Sequence, residues 1–454
     1  MYIYFLKLKV IPTKANEHYE NVEGASAHCW IHEDNPESAY LKAKFHITKY
    51  DWEIESIEIH PVETTRNDFI EKDLGLQNYD KAQQDGIAIV YLAWSRDGKT
   101  QKGPFELQPS YKLDMSQYFM KRKQYQIKGR CLHYEAGERC NEFINAHSIQ
   151  KKGMLTIIAN NGQVYGLSSN YNALKRNKGK FSYQRIGINK MSTFLGFCKK
   201  HDNELFEPID NFPLIPTDQQ IFLYGYRSLC RELFVKENSL NLVESQLKES
   251  QNQKAMNELL SNLKKGNAFG LKNLKMHKSK YDDSLRNKQY TNIKYVLFKS
   301  YQKPNMAFSG IFSPDYDFIG RRLQNLADQS IEMELITFCS APMDSGWGFL
   351  FSWHESSSKV CVSFMKSLAT AMHEKGNLED FLFRLVISCC ENHAISPSWW
   401  ENLLSVHQEQ ILEKISRVAD VFVRTSNSYL MEGLEGISGW KFDSVISNIS
   451  SNAE

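Results

Sequence analysis

The chain has 454 residues, 42% of them hydrophobic, and a formal net charge of +2 at pH 7. This length allows about two to four domains with cores of their own, and nine cysteines are too few and too unevenly spaced for a disulfide framework. No apolar run of about 18 residues occurs, and Lys7 and Lys9 interrupt the apolar start, so the sequence predicts no membrane span and no secretory signal, and we expect a protein of the reducing cytoplasm.

The first hundred residues alternate strand-like and helical stretches. Four stretches rich in β-branched and aromatic residues are predicted strands: Tyr2–Val10, Ala25–His32, Glu53–Val62 and Ile87–Trp94. One helix is predicted from the cap residue Asn35 and Pro36 to about Tyr50, and a second from about Asn67 to Gln84. The order ββαβαβ predicts an α+β sandwich over residues 1–100. No catalytic constellation stands out in it, so we expect a recognition or assembly domain.

A basic block follows the glycine- and proline-rich residues 96–110, which are predicted to be a linker. Residues 112–200 carry 17 Lys and Arg against 4 Asp and Glu, so their balance is 17 − 4 = +13, whereas residues 1–100 carry 11 against 17. Such a block indicates an anionic partner, DNA or RNA, and a merely solvated basic face is the alternative. The candidate phosphate contacts are Lys121, Arg122, Lys123, Lys175, Arg176, Lys178 and Lys180.

Three cysteines and one histidine of this block have the spacing of zinc ligands. Eight residues separate Cys131 from Cys140, and Cys198 stands three residues before His201. A zinc ion takes four such ligands at tetrahedral corners, and a Cys-x-x-His turn at a helix start can supply two of them. We predict one structural zinc ion bound by these four residues. Free buried thiols or a Cys131–Cys140 disulfide are the alternatives, and His133 is a spare ligand.

The chain between these ligands adds two further motifs, Ala146-His147-Ser148-Ile149 and the turn Asn160-Asn161-Gly162. With them, the order of parts resembles the HNH, or ββα-metal, nuclease superfamily. The resemblance covers about residues 128–210 only. It implies a treble-clef zinc module that forms the centre of the chain.

The resemblance also implies a mechanism, metal-assisted hydrolysis of nucleic-acid phosphodiester bonds. His147 would be the general base, and Asn160 or Asn161 would orient its imidazole. Asp202 would help to hold a catalytic Mg²⁺ or Mn²⁺, since hard oxygen ligands suit these cations. His201 would serve either the zinc or this second cation. A structural, satisfied core histidine is the alternative for His147.

The second half of the chain contains a connector and another domain. Thr217–Gln220 matches a capping box, so a helix packed on the zinc module is predicted to complete a module of residues 111–236. Residues 237–290 are rich in Lys, Asn, Gln and Ser and predict a polar helical connector. Residues 291–454 predict a C-terminal α+β domain with apolar helices and four strands: Ile293–Tyr301, Ile331–Cys339, Trp347–Trp353 and Val360–Phe364.

Two functions of different classes follow. The leading hypothesis is a metal-dependent HNH-like endonuclease, for which the resemblance implies a role in bacterial anti-phage defence. The alternative is a non-catalytic, zinc-stabilised adaptor that binds DNA, RNA or a protein partner. In both, the terminal domains are candidates for contacting a protein partner. The feature that discriminates between them is whether His147 and Asp202 face one cavity.

Overall fold

The structure is a computed structural model that describes residues 2–70, 72–96, 115–168, 181–249, 254–326, 328–419 and 426–449. Within these ranges the protein is a mixed α+β, multi-domain chain, as predicted. The predicted linker beyond Arg96 and the four basic residues Lys175, Arg176, Lys178 and Lys180 lie outside the described residues. Among the described helices, none is both long enough and apolar enough to cross a membrane.

The N-terminal unit has the predicted order of strands and helices: β1 (Tyr2–Pro12), β2 (Val22–Glu33), α1 (Pro36–Lys49), β3 (Trp52–Thr64), α2 (Asp73–Asp85) and β4 (Ile87–Ser95). The strands form one antiparallel sheet in the order β3-β1-β2-β4. Leu6 and Leu8 of β1 pack in a cluster with α1, whereas Phe5 packs with Trp30 and Phe69 in the cluster that includes α2. Because successive side chains of a strand point to opposite faces, the two helices cover opposite faces of the sheet.

The described centre of the chain contains four strands and four helices of 12 residues or more, with two short helical turns: α3 (Met115–Gln126), β5 (Phe143–His147), a π-helical turn (Lys151–Leu155), α4 (Thr156–Ile158), β6 (Gln163–Leu167), β7 (Tyr183–Gly187), β8 (Thr193–Cys198), α5 (Lys199–Asp210), α6 (Asp218–Glu249) and α7 (Lys254–Arg286). β5 and β8 pair with each other as a separate two-stranded antiparallel sheet. α5 begins directly after β8, so β5, β8 and α5 form a ββα unit.

The start of α6 ties this helix to the ββα unit. The Thr217 hydroxyl accepts a hydrogen bond from the Gln220 backbone N–H at 3.3 Å, which is half of the predicted capping box. The Gln220 side chain donates instead to the Pro208 carbonyl of α5 at 2.9 Å. Phe206 of α5 shares a core cluster with Phe222 and Tyr226 of α6. This helix therefore packs against the ββα unit.

The C-terminal part contributes six strands and four helices: β9 (Ile293–Ser300), β10 (Met306–Phe312), β11 (Ile336–Pro342), β12 (Trp347–His354), α8 (Ser358–Lys375), α9 (Leu378–Cys389), β13 (His393–Ile395), α10 (Pro397–Asn402), α11 (Ser405–Ala419) and β14 (Ser444–Ser447). The predicted strand Val360–Phe364 is wrong, because it lies within α8. Cys361, Phe364 and Leu368 are buried at helical spacing, and the Glu334 carboxylate accepts the Val360 N–H at the start of the helix.

One sheet crosses the predicted domain boundaries. Its order is β14-β9-β12-β11-β10-β13-β6-β7, so two strands of the central module complete the C-terminal sheet. Residues 237–290 are largely the end of α6 and the whole of α7. Leu274 and Tyr281 of α7 share a core cluster with Leu297 and Leu350 of the sheet. The segment predicted as a connector is thus packed against the core that the ββα unit shares with the C-terminal sheet.

Candidate metal centre

Four donor atoms converge where the β5–β8 hairpin meets α5. The His201 Nδ1 lies 3.3 Å from the Sγ of Cys131, 3.5 Å from that of Cys140 and 3.4 Å from that of Cys198. The Sγ atoms of Cys131 and Cys198 are 3.9 Å apart, and all four donors lie within 4.8 Å of one another. Metal–sulfur bonds of about 2.3 Å at tetrahedral angles place sulfurs about 3.8 Å apart. The group predicted from the sequence could therefore hold a metal ion.

Local backbone structure explains how distant residues meet there. Cys198 is the N-cap of α5 and His201 lies in its first turn, so the Cys-x-x-His spacing puts both side chains at one helix end. Leu132 donates its N–H to the Gly196 carbonyl, which lays the Cys131 segment along β8. Within the wide loop, the Cys140 N–H donates to the Gly137 carbonyl. This turn returns Cys140 to the site despite the eight intervening residues.

His133 packs on the ligand histidine. The rings of His133 and His201 are stacked with centroids 4.1 Å apart and an angle of 11° between their planes. His133, Glu135 and His201 also bring three possible donors together. However, the nitrogen lone pairs of two stacked, nearly parallel imidazole rings lie in separate parallel planes. They therefore do not point toward one ion. The His133 Nδ1 already accepts the Glu135 N–H at 3.1 Å. We therefore assign His133 a packing role.

The ligand loop is held by α6 and α7. Arg130 donates to the Glu237 carboxylate at 2.7 Å and to the Phe234 carbonyl at 3.1 Å, and its guanidinium lies 4.1 Å from the centroid of the Phe234 ring. From α7, the Arg286 guanidinium lies 5.1 Å from the centroid of the Tyr134 ring in this loop. These contacts couple the metal-binding loop to both long helices, so a disturbed loop would loosen their packing.

His147 is the last residue of β5 and is half-buried. Its Nε2 lies 3.0 Å from the Ile188 carbonyl oxygen. A carbonyl can only accept, so Nε2 carries the proton and Nδ1 keeps its lone pair. Burial, the main cause, lowers the pKa of His147 from its ordinary value. Burial therefore favours the neutral imidazole, the form that a general base requires.

The Asn160-Asn161-Gly162 motif forms a tight hairpin turn. The N–H and carbonyl of Asn160 both pair with Gln163, and Asn161 and Gly162 have φ angles of 50° and 71°. Two left-handed residues define the type I′ turn that favours Asn-Gly. The Gly162 carbonyl accepts the N–H of Ile188 at 3.0 Å. The turn thus lies beside His147, but within the described structure the imidazole is oriented by the Ile188 carbonyl and by neither asparagine side chain.

Asp202 is enclosed between α5 and α6. It is 8% exposed, and its Oδ1 has no hydrogen-bond partner among the described residues. Burial raises the pKa of Asp202 to about 6, against the opposing effect of Arg227. Across the described ranges, clusters of three or more His, Cys, Asp or Glu donors occur only around the Cys131 group. The predicted second cation site at Asp202 and His147 therefore has no such cluster here.

Arg227 and Asp210 form an ion pair close enough to Asp202 to affect its pKa, and this pair was not predicted from the sequence. Arg227 is 2% exposed, and its guanidinium makes two hydrogen bonds of 2.7 Å to the Asp210 carboxylate while lying 4.1 Å from the Phe206 ring centroid. The sequence signal for this ion pair was Arg227 itself, which lies among apolar residues of α6. A buried arginine is normally paired with an acidic residue. Both Arg227 and Asp210 act electrostatically on His147.

Replacing Arg227 with Leu is expected to destabilise the protein by about 2 kcal/mol in urea unfolding, because two charge-assisted hydrogen bonds are lost. Removing one partner of a fully buried pair costs roughly 3–5 kcal/mol, but the Asp210 side chain is 38% exposed and can be rehydrated. The control is Arg66→Leu. Arg66 makes the same two-bond contact with Asp80 at the surface, where less than about 1 kcal/mol is expected. Equal losses in both variants would contradict this account.

Three of the predicted phosphate contacts lie on α3, and one further candidate lies at the start of the π-helical turn. Lys121, Arg122 and Lys123 are on α3, which packs against α6. Lys121 and Arg122 are half-buried and take part in other interactions, whereas Lys123 is exposed. Lys151, at the start of the π-helical turn, lies close enough to His147 to lower its pKa. Lys151 is a candidate phosphate contact that the sequence analysis missed.

Comparison of this chain with protein-family models, with curated proteins and with solved structures finds no match. The resemblance to the HNH superfamily therefore rests on the sequence motifs alone.

Proposed function

We propose that this protein is a metal-dependent HNH-like endonuclease whose ββα unit is stabilised by one zinc ion. Three thiolates and one imidazole form a soft to borderline donor set, which favours zinc over magnesium or calcium. The observation that supports catalysis is the 3.0 Å contact between the His147 Nε2 and the Ile188 carbonyl oxygen at the end of β5, which assigns the proton to Nε2 and leaves Nδ1 as the basic nitrogen.

In the proposed reaction, the His147 Nδ1 takes a proton from a water molecule whose oxygen attacks the phosphorus. The phosphorus–oxygen bond to the leaving sugar breaks, and the leaving oxygen takes a proton from solvent. A magnesium or manganese ion would neutralise the charge that develops on the phosphate. Lys151 and the basic residues of α3 would bind neighbouring phosphates. A role in defence against phage is the biological context that the resemblance favours.

Cleavage assays test the enzymatic proposal. Plasmid DNA and RNA are incubated with purified protein and Mg²⁺, Mn²⁺ or EDTA, and products are followed on gels. We expect cleavage that depends on Mg²⁺ or Mn²⁺ and returns when either ion is added after brief EDTA treatment. Restoration by zinc alone would indicate that EDTA had damaged the structural site. No cleavage of either nucleic acid under any cation would contradict the proposal.

A non-catalytic zinc-stabilised adaptor is the second candidate, and the burial of Asp202 favours it. A carboxylate with an enclosed oxygen and a raised pKa is poorly suited to hold a hydrated cation without rearrangement. In this candidate the same basic surface binds DNA, RNA or a protein, and the terminal domains provide further partner contacts. Binding without cleavage, by protein with full zinc content, is the outcome that selects it.

Nucleic-acid binding is expected to weaken steeply with salt, since each lysine or arginine that contacts a phosphate releases counterions. Replacing Lys121, Arg122 and Lys123 together with Gln should reduce the slope of log affinity against log salt by up to about three. The matched control replaces Lys14, Lys44 and Lys49, three exposed lysines of the N-terminal unit, and changes the net charge equally. An equal loss in the control would show that overall charge, and not the α3 surface, governs binding. Mobility-shift titrations at several salt concentrations measure the affinity of the α3 variant and of the control.

A further inference from the structure

The chain immediately after His147 enters a buried hydrogen-bond network. The Ser148 N–H donates to the Ser192 carbonyl at 3.0 Å, and the two serine hydroxyls are 2.6 Å apart. The Ile149 N–H donates to the Ser192 hydroxyl at 3.1 Å. Ser192 thus binds three polar groups of the two residues that follow His147.

Ser192 does this in an unfavourable backbone conformation. Its φ is 60°, in the left-handed region that disfavours residues with a Cβ atom. Such a residue persists only where its surroundings determine its position, and strained residues concentrate at functional sites. The hydrogen bonds to Ser148 and Ile149 hold Ser192 in this conformation. The turn that ends at Ser192 also carries Ile188, whose carbonyl binds the His147 ring.

Asn392 connects this turn region to the C-terminal sheet. It lies between α9 and β13 and is 4% exposed. Its side-chain amide donates to the Ser148 hydroxyl at 2.9 Å and to the Ser309 carbonyl of β10 at 3.1 Å. The amide therefore uses both of its hydrogens to join the residue after His147 to a strand of the eight-stranded sheet.

We infer that Ser192 and Asn392 are positioning residues for His147, an inference that rests on the proposed function. The turn fixes the imidazole through Ile188 and fixes the following backbone through Ser192. Asn392 anchors that backbone to the C-terminal sheet. Without the anchor, the end of β5 can shift relative to Ile188, the hydrogen bond at Nε2 weakens, and Nδ1 loses its fixed direction. The C-terminal sheet is then part of the catalytic framework.

The test is Asn392→Ala, read by kinetics and by NMR of the histidine rings. We expect kcat to fall on the order of 10- to 100-fold, because small misplacements of a catalytic group have effects of this size. KM should change little, since Asn392 contacts no substrate in this proposal. The ¹⁵N signal of the His147 ring should lose the strong Nε2–H preference of the wild type, while one metal ion per chain is retained. Assignment of the ring signal uses His147→Gln.

Two controls separate positioning from general destabilisation. Thr337→Val removes another buried hydroxyl, which bonds to Ser352 between β11 and β12, and should leave kcat and the His147 signal unchanged. Ser192→Gly removes the Ser192 hydroxyl but accepts the left-handed φ, so it is expected to fold and still lose rate. It provides a second variant if Asn392→Ala does not fold.

The outcomes are distinct. Wild-type kcat and an unshifted His147 signal in folded Asn392→Ala or Ser192→Gly protein overturn the inference. If the wild type cleaves nothing but the His147 signal shifts in these variants and not in Thr337→Val, the positioning of the ring stands and the proposed hydrolysis fails.

Discussion

Replacing Cys198 with Ser is expected to release the metal ion and to unfold the centre of the protein. Cys198 is 4% exposed, ends β8 and begins α5, so its thiolate links both elements to the loop that carries Cys131 and Cys140. Structural zinc sites in small modules contribute apparent binding free energies of about 10–16 kcal/mol, which is as large as the total stability of many domains. A hydroxyl is a poor substitute for a thiolate ligand.

The measurements for Cys198→Ser are metal content, thermal unfolding and limited proteolysis. Wild-type protein should contain about one zinc per chain, and the variant should contain almost none. New cleavage sites should appear within residues 128–210 in the variant. Cys230→Ser is the matched control, because Cys230 is fully buried in the core cluster against which Cys131 packs, but it is not one of the four predicted ligands. Full metal content in Cys198→Ser, or none in the wild type, would contradict the assignment.

The parts of the fold that could be predicted are those determined by residues close together in the sequence. Each N-terminal strand and helix could be predicted from its own stretch of sequence. Asn35 followed by Pro36 indicated the start of α1, where the Asn35 side chain accepts the Ser38 N–H. The four residues of the candidate metal site could be predicted because few residue types bind zinc and Cys-x-x-His at a helix start sets a fixed geometry. Neither prediction needed knowledge of distant partners.

The remaining features depend on partners that are remote in sequence. β6 and β7 join a sheet whose other strands begin more than a hundred residues later, and no local signal names those neighbours. Val360–Phe364 has a strand-like composition, but the core beneath it selects the helical spacing of Cys361, Phe364 and Leu368. The Ile188 carbonyl that orients His147 is a backbone group, and backbone groups leave no residue-specific signal.

The surroundings of the predicted cation site at Asp202 also depend on residues that are remote in sequence. Asp202 stands where the resemblance requires an oxygen ligand, but its surroundings are set by α6, which supplies Arg227 and closes over the carboxylate. Sequence order alone could not show this enclosure. If the protein is an enzyme, nucleic acid and cation must open this region or use other oxygen ligands, such as substrate phosphates.

Replacing His147 with Ala is expected to abolish Mg²⁺- or Mn²⁺-dependent cleavage while leaving the fold intact. Removing a positioned general base typically costs about 10²- to 10⁴-fold in rate, which gel assays resolve readily. Among the described residues its side chain has one hydrogen-bond partner, the Ile188 carbonyl, and it is not a ligand of the predicted zinc ion. Zinc content and nucleic-acid affinity should therefore stay near the wild-type values.

The pH dependence provides an independent check on the role of His147. Its pKa is lowered in the folded protein, mainly by burial, so the neutral base persists as the pH falls below the ordinary histidine value. The acidic limb of kcat/KM should therefore lie below about pH 6.5 in the wild type, and any residual cleavage by His147→Ala should lack this limb. His354→Ala is the control, because that half-buried histidine also has a lowered pKa but lies outside the ββα unit. Unchanged cleavage by folded His147→Ala protein would remove this residue from the reaction and favour the adaptor.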